Sequence, residues 1–141
     1  ENLGARIKAA VGPQGAALAQ YQAALKSFPN HRALVYGYAE TLLQNRRSED
    51  ALKLVGDRQR RFPNDGRLYE LQAQSYAMQG KMLLSHQAQA EAYIRQGSLV
   101  GAIEQLQLGL KAGDGDFYQL SIAEARLRAL RIEHAELIKK P

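Results

Sequence analysis

The phrase Phe28-Pro29-Asn30 returns as Phe62-Pro63-Asn64, thirty-four positions later. That interval accommodates one helix, a tight turn and a second helix folded back on the first, and a chain built on it is a stack of such pairs. Proline has no amide proton and cannot continue a helix, so the phrase closes a unit each time. The asparagine behind it is placed to cap the helix that opens the next unit.

Counting outward from the two prolines gives columns that recur at the same interval. One small column reads Ala5, Ala39, Ala73, and a second reads Ala17, Ala51, Ser85. Small side chains at such positions let helix axes approach to the near end of the ~8–10 Å packing range. A turn column reads Gly12, Arg46, Gly80, and a large one reads Lys8, Leu42, Tyr76. Glycine just past a helix relieves the left-handed strain that other residues suffer there. These columns resemble those of the tetratricopeptide repeat. The fold expected is therefore all-α, a tetratricopeptide-like (TPR-like) array of about eight helices arranged as hairpins, with repeats at 1–30, 31–64 and 65–97.

In chain order, a first helix is expected over residues 2–11 and a second from Pro13 to about 27, with Ala17, Leu18, Tyr21 and Leu25 on one face. Helices follow at 31–45, with Leu34, Val35, Tyr38 and Leu42 inward, and from Ser48, whose hydroxyl with Glu49 and Asp50 suits a helix start. The next spans 66–79. After Gly80 the rhythm halves, because Ala90, Tyr93, Gly97 and Ala102 repeat Ala73, Tyr76, Gly80 and Ser85 at a shift of seventeen. The helix at 82–96 is thus shared between one unit and a half-shifted one at 82–113, and Leu84, Ala88, Ala92 and Tyr93 are expected to be well buried. Ser98 caps a helix at 99–112, with Ile103, Leu106 and Leu110 inward. Asp116 with Gln119 forms a capping box for a long capping helix to about 140. Its stripe Leu120, Ala123, Leu127, Leu130, His134, Leu137 should pack inward, leaving Arg126, Arg128, Arg131, Lys139 and Lys140 as a polar outer face. A self-associating coiled coil is the other reading of that stripe, for which two and a half heptads is short.

Chemistry is hard to find in these 141 residues. There is no cysteine, and His31, His86 and His134 have no metal-ligand spacing. No His-Glu-x-x-His run, phosphate loop or nucleophile elbow occurs. The segment is expected to be no enzyme and to hold no cofactor. A formal charge of +5 raises the question of nucleic acid. The bases are scattered, however, with Arg46, Arg47, Lys53, Arg58, Arg60 and Arg61 the one dense group, so a solvated helix face is expected and no nucleic acid. No apolar run is long enough to span a membrane. The chain begins without Met and is expected to be part of a longer protein.

A helical array offers a concave face lined by the first helix of each unit. Its expected residues are Arg6, then Tyr36, Glu40, Leu43 and Gln44, then Arg67, Glu70, Gln74 and Met78. The shared helix adds Gln87, Glu91 and Arg95. Amide, Tyr and Met side chains beside scattered charge suit a protein or peptide partner.

The run Ala90-Glu91-Ala92-Tyr93, Gly97, Ala102-Ile103 and Leu106, then Phe117-Tyr118-Gln119, Ala125-Arg126-Leu127 and Leu130-Arg131, resembles the carboxyl-terminal repeat domain of periplasmic zinc metallopeptidases of the β-barrel assembly-enhancing (BepA-like) kind. The resemblance is specific over about residues 82–131. It implies a periplasmic, non-catalytic module attached to a zinc metalloprotease domain that carries the metal. It also implies as partners that protease domain and the outer-membrane barrel assembly machinery or its substrates. A free-standing cytoplasmic scaffold or co-chaperone is the alternative. Lys8 in a large column and Arg58 in a small one depart from the repeat pattern in the first half.

Overall fold

In a computed structural model, residues 3–140 are described, with side chains from residue 15 onward. Among them are seven helices and no strand: α1 (Leu3–Ser27), α2 (Arg32–Gln44), α3 (Ser48–Arg61), α4 (Gly66–Met78), α5 (Met82–Arg95), α6 (Leu99–Lys111) and α7 (Phe117–Lys139). Successive helices pack on one another, and α2 also touches α4 and α5 touches α7, whereas α4 and α6 do not meet. The expected all-helical array of hairpins is therefore present, and from α2 onward its boundaries fall within about a residue of the expected ones.

The amino-terminal unit differs. A turn was expected at Gly12-Pro13, but α1 is continuous through it. Proline inside a helix removes one intrahelical bond and costs roughly 3 kcal/mol. Its flanks, Ala9-Ala10 and Ala16-Ala17, are the strongest helix formers. Seven helices rather than eight is the result. Ala5, Arg6 and Lys8 lie outside the described side chains.

In the small columns Ala39, Ala51, Ala73 and Ser85 are buried in the interior, whereas Ala17 of α1 is only half-buried. Around them the chain has two apolar clusters. One joins α1 to α4 through Leu18, Leu25, Val35, Leu42, Val55 and Leu71 among others. The second joins α5 to α7 through Leu83, Ala90, Ala102, Leu106, Leu127 and Leu130 among others. Fully burying one such leucine contributes about 1.5–3 kcal/mol, so each cluster is a core in its own right.

α5 is the seam between them. Its buried residues form two sets, Leu83 with Ala90, and Ser85 with Ala88 and Ala92. At about 100° per residue these lie on opposite sides of the helix. The second set meets α4, where Ser85 Oγ donates to the Ala73 carbonyl at 2.8 Å. The expected sharing of this helix is thus visible in its burial, although Leu84 and Tyr93 are only half-buried.

The repeated phrase has a structural role of its own. Arg61 Nη1 donates to Asn30 Oδ1 at 2.7 Å, and Arg95, thirty-four residues on, donates through Nε to the Pro63 carbonyl at 2.8 Å. Arg58 Nε reaches the Pro29 carbonyl at 3.1 Å. Asn30 therefore accepts from an arginine instead of capping α2, whose N-cap is His31 without a side-chain bond. Ser48 is likewise inside α3 and not its N-cap, and its hydroxyl accepts from Gln79 Nε2 at 3.1 Å. Ser98 and Asp116 cap α6 and α7 as expected, the latter in a full capping box with Gln119. Along α7, Ala123, Leu127 and Leu130 are buried and Leu120 and His134 half-buried, but Leu137 is exposed at the edge of a cleft shared with Leu99 and Val100.

Candidate interaction surface

α2 and α4, the first helices of their units, lie side by side. Tyr36 of α2 is half-buried against the first core, and its hydroxyl donates to Asp65 Oδ2. The other oxygen of Asp65 accepts from the Arg67 amide at 3.0 Å and caps α4. Burial, then the Asp65 bond and charge, raise the Tyr36 phenol above its ordinary pKa. Tyr36 is therefore a joint between the two helices.

Beside it, Arg67 bridges Glu40 of α2 and Glu70 of its own helix, the latter at 3.0 Å. Burial opposes the charge on Arg67, and the bonds to Glu70 and Glu40 outweigh it, so its pKa is raised. Glu70 in turn accepts from Gln96 Nε2 at 2.9 Å. Such partly exposed ion pairs each contribute no more than about 1 kcal/mol, so their effect is to fix positions. Gln44, Gln74 and Met78 are exposed on this face. Leu43 is not part of it: the side chain is buried in the first core, because it sits one position round the helix from Leu42 on the inward side.

Gln87, Glu91 and Arg95 do not join that face. Gln87 and Glu91 line a cleft of about 210 Å³ with Leu84 and with Gln72 and Tyr76 of α4. At about 100° per residue, Gln72 and Tyr76 lie roughly opposite Gln74 on α4. The half-repeat shift is the reason: α5 serves as a second helix to α4, so its own groove positions open on the other side. Glu91 accepts from Arg95 Nη1 at 2.7 Å and from Arg126 Nε of α7 at 3.0 Å. The Arg95 guanidinium lies 4.1 Å from the centre of the Tyr69 ring. Arg95 is occupied in holding the end of α5 to the Pro63 turn. Arg6 lies outside the described side chains. The eleven others thus divide into a face on α2 and α4, a second face on α5, and one core residue.

A second hollow, of about 790 Å³, lies between α1, α2 and α3 and is lined by Gln22, Lys26, Tyr38, Leu54 and Arg58 among others. The ring of Tyr21 stacks on Tyr38 at 6.1 Å, and Gln22 Nε2 donates to the Tyr38 hydroxyl at 3.0 Å. Arg58 in a small column was the one sequence signal for it.

The dense basic group is largely engaged within the molecule. Arg47 pairs with Asp50 at 2.7 Å, Arg58 and Arg60 pair with Asp57, and Arg61 holds Asn30. Among the described residues no three His, Asp or Glu side chains come together as metal ligands, and no helix is long and apolar enough to cross a membrane.

Residues 15–75 match the family model described as a tetratricopeptide repeat. No curated protein matches the chain.

Proposed function

We propose that this tetratricopeptide-like array is a non-catalytic protein-interaction module, and that it takes a segment of a partner protein across the α2–α4 face. One observation carries the proposal. Gln44, Gln74 and Met78 stand exposed on two first helices that Tyr36, Asp65 and Arg67 lock together, which gives amide and thioether contacts a fixed spacing. The residues to test are these three, because removing Tyr36 would also remove a packing contact. Replacing Gln44, Gln74 and Met78 together by Ala is expected to weaken capture of a selected peptide at least about tenfold, with the thermal transition nearly unchanged. Equal capture by wild type and triple variant would rule the face out.

The finer proposal is that the module belongs to a periplasmic zinc metalloprotease and presents it with the barrel assembly machinery or its stalled substrates. Zinc would then reside in the attached domain. Support comes from the resemblance over residues 82–131. Ala90, Ala102, Leu106 and Leu127 in that run are core residues, so part of the likeness follows from packing that any array of this kind needs. Sequencing the gene upstream of Glu1 tests it. A signal peptide and a His-Glu-x-x-His helix are expected, and a cytoplasmic reading frame without either would overturn it in favour of a free-standing scaffold.

A further inference from the structure

The expected polar side chains Arg128, Arg131, Lys139 and Lys140 are exposed along α7, with Arg126 half-exposed, but an apolar strip runs along the outer side beside them. Tyr118 is 73% exposed, Ile122 45% and Ile132 65%, and Ala125 and Ala129 between them are exposed as well. The spacing of 118, 122, 125, 129 and 132 alternates four and three, so at about 100° per residue these side chains form one stripe. The stripe lies opposite the buried one that carries Ala123, Leu127 and Leu130. α7 therefore resembles α5, which is covered on both sides, but has only one side covered.

We propose that this stripe is the contact surface for a second copy of the chain, with the two α7 helices antiparallel about a two-fold axis that passes between them at the height of Leu127. The pattern is symmetric about that residue. Ala125 falls opposite Ala129 of the second copy, Ile122 opposite Ile132, and Tyr118 opposite Glu136, whose carboxylate suits the phenol as an acceptor. A two-fold contact requires this kind of self-complementary surface. Two alanines at the centre let the axes approach closely, and the isoleucines close the layers on each side.

Charge selects the orientation. The carboxyl end of α7 carries Lys139 and Lys140, and its amino end carries Asp116 as N-cap with Asp114 just before it. Antiparallel pairing sets the basic end of each helix beside the acidic end of the other and opposes the helix dipoles favourably. Parallel pairing would put like ends together. Near the axis the two Arg128 side chains approach one another, and Glu124 of each copy, one turn away on the same flank, lies beside them. One helix pair buries less than the ~1,200 Å² of a standard stable interface, so the dimer exchanges readily and depends on concentration.

The absence of cysteine makes the test clean. Sedimentation velocity of the full chain should show a monomer–dimer equilibrium, and Ala129→Glu or Ile132→Gln should raise the dissociation constant by at least about tenfold with an unchanged helical circular dichroism spectrum. Oxidising an equal mixture of Ala125→Cys and Ala129→Cys should give mainly the mixed disulfide. A chain that stays monomeric to about 1 mM, association indifferent to both substitutions, or homodisulfides predominating would each overturn the proposal.

Discussion

Arg46 holds a φ of 62°, the left-handed conformation that Gly80, Gly97 and Gly113 take just past α4, α5 and α6. At each of the first three turns the same closure follows. The amide of Arg47 bonds the Leu42 carbonyl at 2.8 Å, that of Lys81 the Tyr76 carbonyl at 3.0 Å, and that of Ser98 the Tyr93 carbonyl at 2.9 Å. A side chain in this conformation costs about 1–2 kcal/mol relative to glycine. Arg46→Gly should therefore raise the stability by about 1 kcal/mol, read as a higher urea midpoint at unchanged slope. Asp114 is a second residue-scale case. Its carboxylate accepts from the amides of Leu83, at 3.0 Å, and Met82, and so caps α5 from across the chain. Those bonds hold its pKa below the ordinary carboxylate value. A lowered folded pKa means the contribution is present above the unfolded value and is lost as pH falls through the folded one. Asp114→Ala should lower the urea midpoint at neutral pH, and the gap from wild type should close as pH falls below about 4. The turns at Arg46 and Gly80 and the caps at Ser98 and Asp116 were legible because cap and target are neighbours in sequence. Asp114 was not, since its partners lie some thirty residues away.

At the scale of elements, α5 decides how the array is built. Its two buried sides place Leu83 and Ala90 in the second core and Ser85, Ala88 and Ala92 against α4. A Cβ added at Gly66 of α4 would stand 3.5 Å from the Ala92 carbonyl, which shows how near the two backbones are. Ala92→Arg should cost about 3 kcal/mol or more, because it forces bulk and an unpaired charge into that contact. An unchanged denaturation midpoint would mean that α5 is not held on both sides. The shift of seventeen residues made this double burial legible. Leu84 and Tyr93 are less covered than expected because they sit on the flanks between the two buried sides. The continuous α1 was not legible, since glycine followed by proline signals a turn more often than a helix interior.

For the whole molecule, the half-repeat shift turns one expected groove into two faces. Before the shift the first-helix positions gather on α2 and α4; after it, Gln87 and Glu91 open beside Gln72 and Tyr76. Of the eleven candidate positions whose side chains are described, ten lie outside the buried core as the repeat columns implied, but columns count residues within a unit and carry no information on which way a unit faces. Leu43 shows the same limit on a smaller scale, for its column is outward while its side chain completes the first core. The α2–α4 face is the proposed partner surface. The most direct measurement is a selection from a displayed random-peptide library, followed by hydrogen exchange of the full chain with and without the best peptide. Added protection is expected at α2 and α4 around Gln44, Gln74 and Met78, with α5 and α7 unchanged. Protection confined to α5 around Gln87 and Glu91, or no peptide enriched over its scrambled control, would contradict it.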